Sequence, residues 1–327
     1  MSISQQASQA EATHIDAAEE IELPERRTNR PVTLMHRVEY IAMRGLFAFF
    51  RLIGIDASSS LAGTFTRQVG PLLKPITARA DNNLRAAFPN WSEAEIRQCI
   101  KGVWENLGRT AAEMAHLEKL IPGPEDSRIT IYNQEQLDAF KENGTPVIFV
   151  SSHMANWEAM SVVVHKWGFD YGVVYRAANN PLIDELIINL RAAVMSRRQI
   201  PKGKRGGRAV IETLREGRSL AMLVDQKLND GIEAEFFGRQ AMTAPAPARL
   251  ALKFNVPIVP MSIVRRRGAH FDLYIREPIS FTPTGETSKD VATLTQLIND
   301  AIEAEIRAHP EQWLWLHRRW PKKGSNP

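Results

Sequence analysis

A chain of 327 residues with 44% hydrophobic content can bury one large α/β domain with appendages, or two modest domains. Its single cysteine, Cys99, excludes an internal disulfide and suits a reducing compartment, and no repeat at solenoid or propeller spacing is present. The net charge is +4, yet residues 1–25 hold six acidic groups and no Lys or Arg, so the remainder is clearly basic and favours an anionic partner such as phosphorylated lipid, an acidic protein or a nucleic acid.

Residues 1–30, rich in Gln, Ala, Ser and Glu, read as a disordered acidic leader. They lack the basic start and apolar run of a cleaved signal peptide, which places the chain on the cytoplasmic side. Residues 31–56 form a second unit and residues 57–327 the catalytic domain. In the second unit, Leu34–Ile55 is the best membrane candidate, but Glu39, Arg44 and Arg51 interrupt it. It falls short of the roughly 18 uninterrupted apolar residues of a spanning helix. Arg37, Arg44 and Arg51 recur every seven residues and make one basic stripe, with Val38, Met43, Leu46, Phe49, Phe50 and Ile53 opposite. Such an amphipathic helix suits the interface of an anionic leaflet. Docking on the protein's own core and a short tilted span are the alternatives.

Residues 60–122 read as helical, with Cys99 packed in the core within Ser92–Gly108. From about residue 129, short apolar runs alternate with amphipathic stretches. Pro146–Val150, Tyr171–Tyr175, Leu220–Val224 and Ile258–Val264 read as buried strands, and His270–Arg276 as an edge or antiparallel strand. Asn156–Lys166, Pro181–Met195, Arg208–Arg215 and Pro247–Phe254 have helical spacing between them, and Thr287–His309 is a further amphipathic helix. This order predicts an α/β fold with a mixed, largely parallel sheet and flanking helices. The closing run from Trp313 to Lys323 interleaves Trp with Arg and Lys, which suits a lipid interface or nucleic acid. Tryptophans of a C-terminal helix packed on the core are the equal alternative.

Ligands of such sheets sit beyond the carboxyl ends of strands. There the sequence places Ser151-Ser152-His153, Arg176 and Asp225-Gln226. No zinc-protease H-E-x-x-H, P-loop, G-x-S-x-G or G-x-G-x-x-G is present, and cysteine–histidine metal spacing is absent. Chemistry therefore rests on His, carboxylates and bases. His153 and Glu158 have H-x4-E spacing, and on a straight helix they would diverge. With Asn156 as N-cap, His153 lies in the turn and Glu158 in the first helical turn. The basic stretch Arg197–Arg208, including Lys202, Lys204, Arg205 and Arg208, opens a helix and suits phosphates or an acidic protein face; a solvated loop is the bland alternative.

Three further blocks accompany His153–Glu158: Tyr175–Leu182, which contains Arg176 and Asn180; Leu223–Gln226; and Phe236–Thr243. Together they resemble the bacterial lipid A biosynthesis acyltransferase family of late lauroyl and myristoyl transferases, over roughly residues 35–320. The resemblance implies a glycerolipid-acyltransferase-like fold and direct transfer of an acyl chain to a glycolipid hydroxyl. The donor it implies is acyl carrier protein or a coenzyme A thioester. It requires no cofactor beyond the acyl-acyl carrier protein co-substrate, and no metal. In this reading His153 is the general base and a carboxylate fixes its tautomer. The family motif nominates Glu158, the strand-end argument nominates Asp225, and both stay open. Arg176 or backbone N–H groups at the helix start would stabilise the oxyanion, or Arg176 would hold an acceptor phosphate. Arg176, Asn180, Lys202, Lys204, Arg205 and Arg208 are the substrate-binding candidates. Phe236-Phe237-Gly238 either lines an acyl channel or packs in the core.

The implied partners are acyl carrier protein, an anionic glycolipid acceptor and the cytoplasmic face of the inner membrane, with no nucleic acid. Other readings are an acyltransferase for a phosphatidylinositol mannoside or lysophospholipid, and a non-catalytic basic protein binding membrane or nucleic acid. A serine hydrolase using Ser151 or Ser152 is a further alternative, although neither lies in a nucleophile elbow.

Overall fold

The computed structural model describes residues 31–123 and 127–320. The acidic leader expected over residues 1–30, and the closing Lys322-Lys323, lie outside the described residues. Helix α1 (Leu34–Ile53) starts at Thr33, whose hydroxyl oxygen accepts the His36 N–H at 3.2 Å. It ends at Gly54, where φ is +81°, a left-handed angle that costs glycine little and lets α2 (Ile55–Val69) leave in a new direction. After α3 (Lys74–Ala87) comes α4 (Glu93–Glu113), opened by a reciprocal cap between Ser92 and Glu95. Ile96, Cys99, Ile100 and Val103 recur at helical spacing along α4 and are all buried. Burial pushes the Cys99 thiol up to about 12, with Glu311 adding to the effect, so this cysteine is a core residue.

Strands and helices then alternate. In chain order they are β1 (Ile129–Tyr132), α5 (Glu135–Glu142), β2 (Ile148–Ser151), α6 (Glu158–Lys166), β3 (Tyr171–Tyr175), α7 (Pro181–Ala192), β4 (Gln199–Pro201) and α8 (Lys204–Arg215). They continue with β5 (Ser219–Leu223), β6 (Ile232–Phe236), β7 (Arg239–Thr243), α9 (Ala246–Phe254), β8 (Ile258–Arg267), β9 (His270–Ile275) and α10 (Thr287–Ala308). Seven strands make one sheet in the order β1-β9-β8-β2-β5-β3-β4, in which only β8 and β9 pair antiparallel. All four residues of β2 are buried, as expected of a central strand covered on both faces. Ile148 and Val150 enter one core with Val210, Leu250 and Ile298, while Phe149 enters the other with Val163 and Leu273.

Three readings left open by the sequence are decided. Strand β9 pairs antiparallel with β8 but is not an edge, because β1 covers its other side. Phe236 and Phe237 belong to a hairpin of β6 and β7, turned through Phe237 and Gly238 at φ 54° and 67°. Both phenyl rings are buried against Trp313, Trp315 and Trp320, so they pack in the core and do not line a channel. Residues 313–320 form no helix, and those three tryptophans are at most 5% exposed, so they offer nothing to a lipid surface.

Helix α1 also differs from the two-sided picture. Tyr40, Met43, Phe47 and Phe50 turn toward the protein, where α1 meets α2, α7 and the turn after α4. Leu34, Val38, Ile41, Phe49 and Leu52 form an outer apolar stripe. Apolar residues thus occupy both faces, and the arginines run along the flank between them. Arg51 is not free, since its Nε donates to the Ala115 carbonyl at 2.9 Å. Among the described residues, no helix is long and apolar enough to cross a membrane.

Candidate active site

Strand β2 ends at Ser151, and the chain turns through residues 152–157 before α6 begins at Glu158. Asn156 lies one residue before the N-cap, Trp157, and its Oδ1 accepts the Glu158 N–H at 3.2 Å. The expected cap is thus shifted by one position. His153 stands in this turn, beside the carboxyl end of β5. Its Nδ1 is 2.8 Å from Asp225 Oδ1, and its backbone N–H donates to Asp225 Oδ2 at 2.9 Å. Trp313 Nε1 donates to the same Oδ2 at 2.7 Å. The Asp225 side chain is 2% exposed and the His153 side chain 16%, so the ring meets solvent and the carboxylate does not. Burial alone would raise the Asp225 pKa. The charge of His153, its two hydrogen bonds and the Trp313 indole outweigh burial and hold the carboxyl well below the usual range.

Of the two carboxylates nominated by sequence, only Asp225 touches His153. Glu158 forms an ion pair with Arg191 on α7, with N–O distances of 2.8 and 2.5 Å, and also accepts from Trp157 Nε1 at 3.1 Å. His153 lies in the turn and Glu158 opens α6, where Arg191 of α7 holds its carboxylate. The turn itself is held tightly. Ala155 adopts φ 45°, and its carbonyl accepts from Asn106 Nδ2 at 3.2 Å and Thr110 Oγ1 at 2.8 Å. Leu314 N–H donates to the His153 carbonyl at 3.1 Å, and Ala155 N–H to the Gln312 carbonyl at 2.9 Å. The tail segment therefore clamps the turn from one side and α4 from another.

The His153 ring opens on a cavity of about 380 Å³. Arg176, Lys202, Gln226 and His317 give it polar walls, while Phe149, Met160, Val164 and Met261 line it with apolar surface. A larger surface cleft of about 730 Å³ lies along α4, with neither His153 nor Asp225 in its wall, and its Arg67 and Arg109 are paired with Glu105. Ser151 donates its hydroxyl to the Met261 carbonyl at 2.6 Å, so it is not aligned with His153 for hydrolysis.

A model of the family described as bacterial lipid A biosynthesis acyltransferase matches residues 29–322. The chain belongs to this family. It is similar to the lipid A biosynthesis acyltransferase 2 of Shigella flexneri, with 26% identity over 267 residues covering 80% of this chain and 82% of that one. It is also similar to a phosphatidylinositol mannoside acyltransferase of Mycobacterium tuberculosis, with 27% identity over 191 residues and 57% and 58% coverage. The solved 1-acyl-sn-glycerophosphate acyltransferase of Thermotoga maritima covers 85% of this chain and 99% of its own, with 12% identity and a TM-score of 0.36.

In this acyltransferase family member the remaining candidates separate clearly. Arg176 and Lys202 line the cavity. Desolvation lowers the Lys202 pKa, Asp225 opposes that shift and Arg176 adds to it. Asn180 is not in the cavity wall: it caps α7 by accepting from Leu182 N–H, and donates to the His36 carbonyl and to Glu39. That amide ties α7 to α1. Lys204 and Arg205 begin α8, with their side chains outside the described residues, and Arg208 is exposed on the same helix. Sequence reasoning missed Trp313, His317 and Arg191 as members or supports of the site. No local pattern carried the signal, since Trp313-Leu314-Trp315-Leu316 is apolar at every position.

Proposed function

We propose that this protein transfers an acyl chain from an acyl carrier protein thioester to a hydroxyl of a lipid A precursor. His153 serves as general base and Asp225 holds its tautomer. The observation that carries this reading is the 2.8 Å His153–Asp225 bond at a cavity with both polar and apolar walls. Imidazole is suited to taking a hydroxyl proton near neutral pH. The apolar wall fits an acyl chain, and Arg176 and Lys202 suit an anionic group of the acceptor. Lys204, Arg205 and Arg208, at the start of α8, suit the acidic face of the carrier protein. Family membership supports the lipid A precursor as acceptor. Similarity to the mannoside acyltransferase makes a phosphatidylinositol mannoside the second acceptor to assay.

The test is transfer of radiolabel from acyl-acyl carrier protein to each acceptor. His153→Ala is expected to reduce transfer by about 10²–10⁴-fold while leaving the protein folded. Wild-type turnover by that variant would sink the general-base role.

The outer stripe of α1, flanked by arginines, supports seating on the cytoplasmic face of the inner membrane. Leu34, Ile41 and Leu52 are 79%, 68% and 84% exposed. Changing all three to Glu should abolish co-sedimentation with anionic vesicles and spare transfer to detergent-dispersed acceptor. Unchanged sedimentation would remove α1 from the membrane contact.

A further inference from the structure

We propose that the side-chain amide of Gln226 donates the hydrogen bond that stabilises the oxyanion of acyl transfer, and that His317 holds this amide in place. The inference rests on the acyl-transfer reading above. A carboxylate only accepts hydrogen bonds, so the His153 proton shared with Asp225 sits on Nδ1, and Nε2 presents a lone pair to the cavity. Gln226 Nε2 lies 3.3 Å from that nitrogen and 3.3 Å from His317 Nε2. One NH2 group offers two hydrogens to two ring lone pairs. The His153 lone pair requires the amide NH2 on its side, and that NH2 can bond His317 Nε2 only where this nitrogen is unprotonated, so the Nδ1-protonated form of His317 follows.

An acceptor hydroxyl must take the His153 Nε2 lone pair in order to react, and in doing so it releases one N–H of Gln226. That N–H stays beside the reacting carbon, because the other remains on His317. Most backbone donors near the ring are committed, which leaves Arg176 in the cavity wall as the main rival. In the turn and the start of α6, His153 N–H bonds Asp225, Met154 bonds the Ser152 carbonyl and Ala155 the Gln312 carbonyl. Glu158 and Ala159 both bond Asn156. The step then balances. The hydroxyl oxygen bonds to the thioester carbon as its proton passes to His153 Nε2, and the carbonyl electron pair moves onto oxygen, where Gln226 N–H meets it. Collapse breaks the C–S bond, and the departing thiolate recovers the proton from His153.

His317 is placed by Asn83, whose amide donates to the carbonyls of Trp315 at 2.9 Å and His317 at 2.7 Å. Desolvation lowers the His317 pKa, as do the charges of His153, Arg176 and Arg79, against an opposing contribution from Asp225. A neutral ring is what an acceptor of the Gln226 N–H requires.

The experiment measures steady-state transfer from acyl-acyl carrier protein to the lipid A precursor by wild type, Gln226→Ala, His317→Leu and His317→Gln. Gln226→Ala is expected to lose about 10²–10³-fold in kcat, the effect of removing one oxyanion donor, with KM little changed. His317→Leu should lose about tenfold, and His317→Gln should recover most of it, because its carbonyl oxygen reaches about as far as Nε2 and accepts the same N–H. A kcat for Gln226→Ala within about fivefold of wild type overturns the donor role. Equal loss in His317→Leu and His317→Gln overturns the positioning role. No transfer by the unmutated protein to any lipid acceptor would overturn the acyl-transfer reading itself, and is distinguishable because no variant is involved.

Discussion

Asp225→Asn is expected to lower kcat by about three to four orders of magnitude, with KM and the fold little changed. The expectation follows from what surrounds the two carboxylate oxygens. Oδ2 receives two donors, the His153 backbone N–H and the Trp313 indole, at 2.9 and 2.7 Å. An asparagine must therefore place its oxygen there and turn its NH2 toward His153 Nδ1. An N–H facing Nδ1 requires a lone pair on that nitrogen, which moves the ring proton to Nε2. The base then carries its proton where the acceptor hydroxyl should bind. Initial-rate measurements decide the matter: a variant within tenfold of wild type would remove Asp225 from the mechanism.

The same substitution has a pH signature in stability. The folded-state pKa of Asp225 lies below its ordinary value of 3.8. Its ionised form therefore contributes stability that is fully present above that value and is lost as pH falls through the folded pKa. The gap in melting temperature between wild type and Asp225→Asn should accordingly be constant near neutrality and narrow below about pH 4. Scanning calorimetry across that range checks the sign, and a gap that widens in acid would contradict it.

Glu113→Ala is expected to cost about 3–5 kcal/mol of stability, the penalty for leaving a buried charge without its partner. Arg265 has an 8% exposed side chain against the 0% exposed Glu113, and its guanidinium also meets Asn106, Thr110 and the Gly268 carbonyl. Glu113 further accepts from Ser59 at 2.7 Å and from Asn156 at 2.9 Å. Removing the carboxylate thus strips support from Asn156, in the turn that carries His153, and transfer should fall even where the variant is folded. The double variant Glu113→Leu, Arg265→Met should lose less than the single one, because no unpaired charge remains. Urea unfolding gives the free energies, and a single-variant loss below about 1 kcal/mol would show that the pair is not needed.

Sequence patterns identified most elements wherever a local rule decided them. Tyr171–Tyr175 appears as β3 with the same bounds, because an apolar run between turn signals is a strand in a covered sheet. The hairpin of β6 and β7 escaped notice because its turn is Phe237-Gly238, with a phenylalanine at positive φ where asparagine is the usual signal. Strand β4 is three residues long inside a basic stretch, too short to show any period. The double-faced character of α1 was hidden as well, since an apolar residue carries no mark of whether protein or lipid will cover it.

By itself the sequence determined the fold class, the family and the turn after β2 as the place of His153, since strand patterning and motif spacing are properties of neighbouring residues. It left the partner of His153 open between Glu158 and Asp225. Only the tertiary structure decided that Asp225 is bonded to the ring. Parallel pairing of β2 with β5 brings the two strand ends together across 72 positions of chain, while the ion pair with Arg191 of α7 takes up Glu158. The tail was decided the same way: Trp313 and His317 reach the site because residues 312–317 pack against the turn, a contact between distant parts of the chain that no local pattern records.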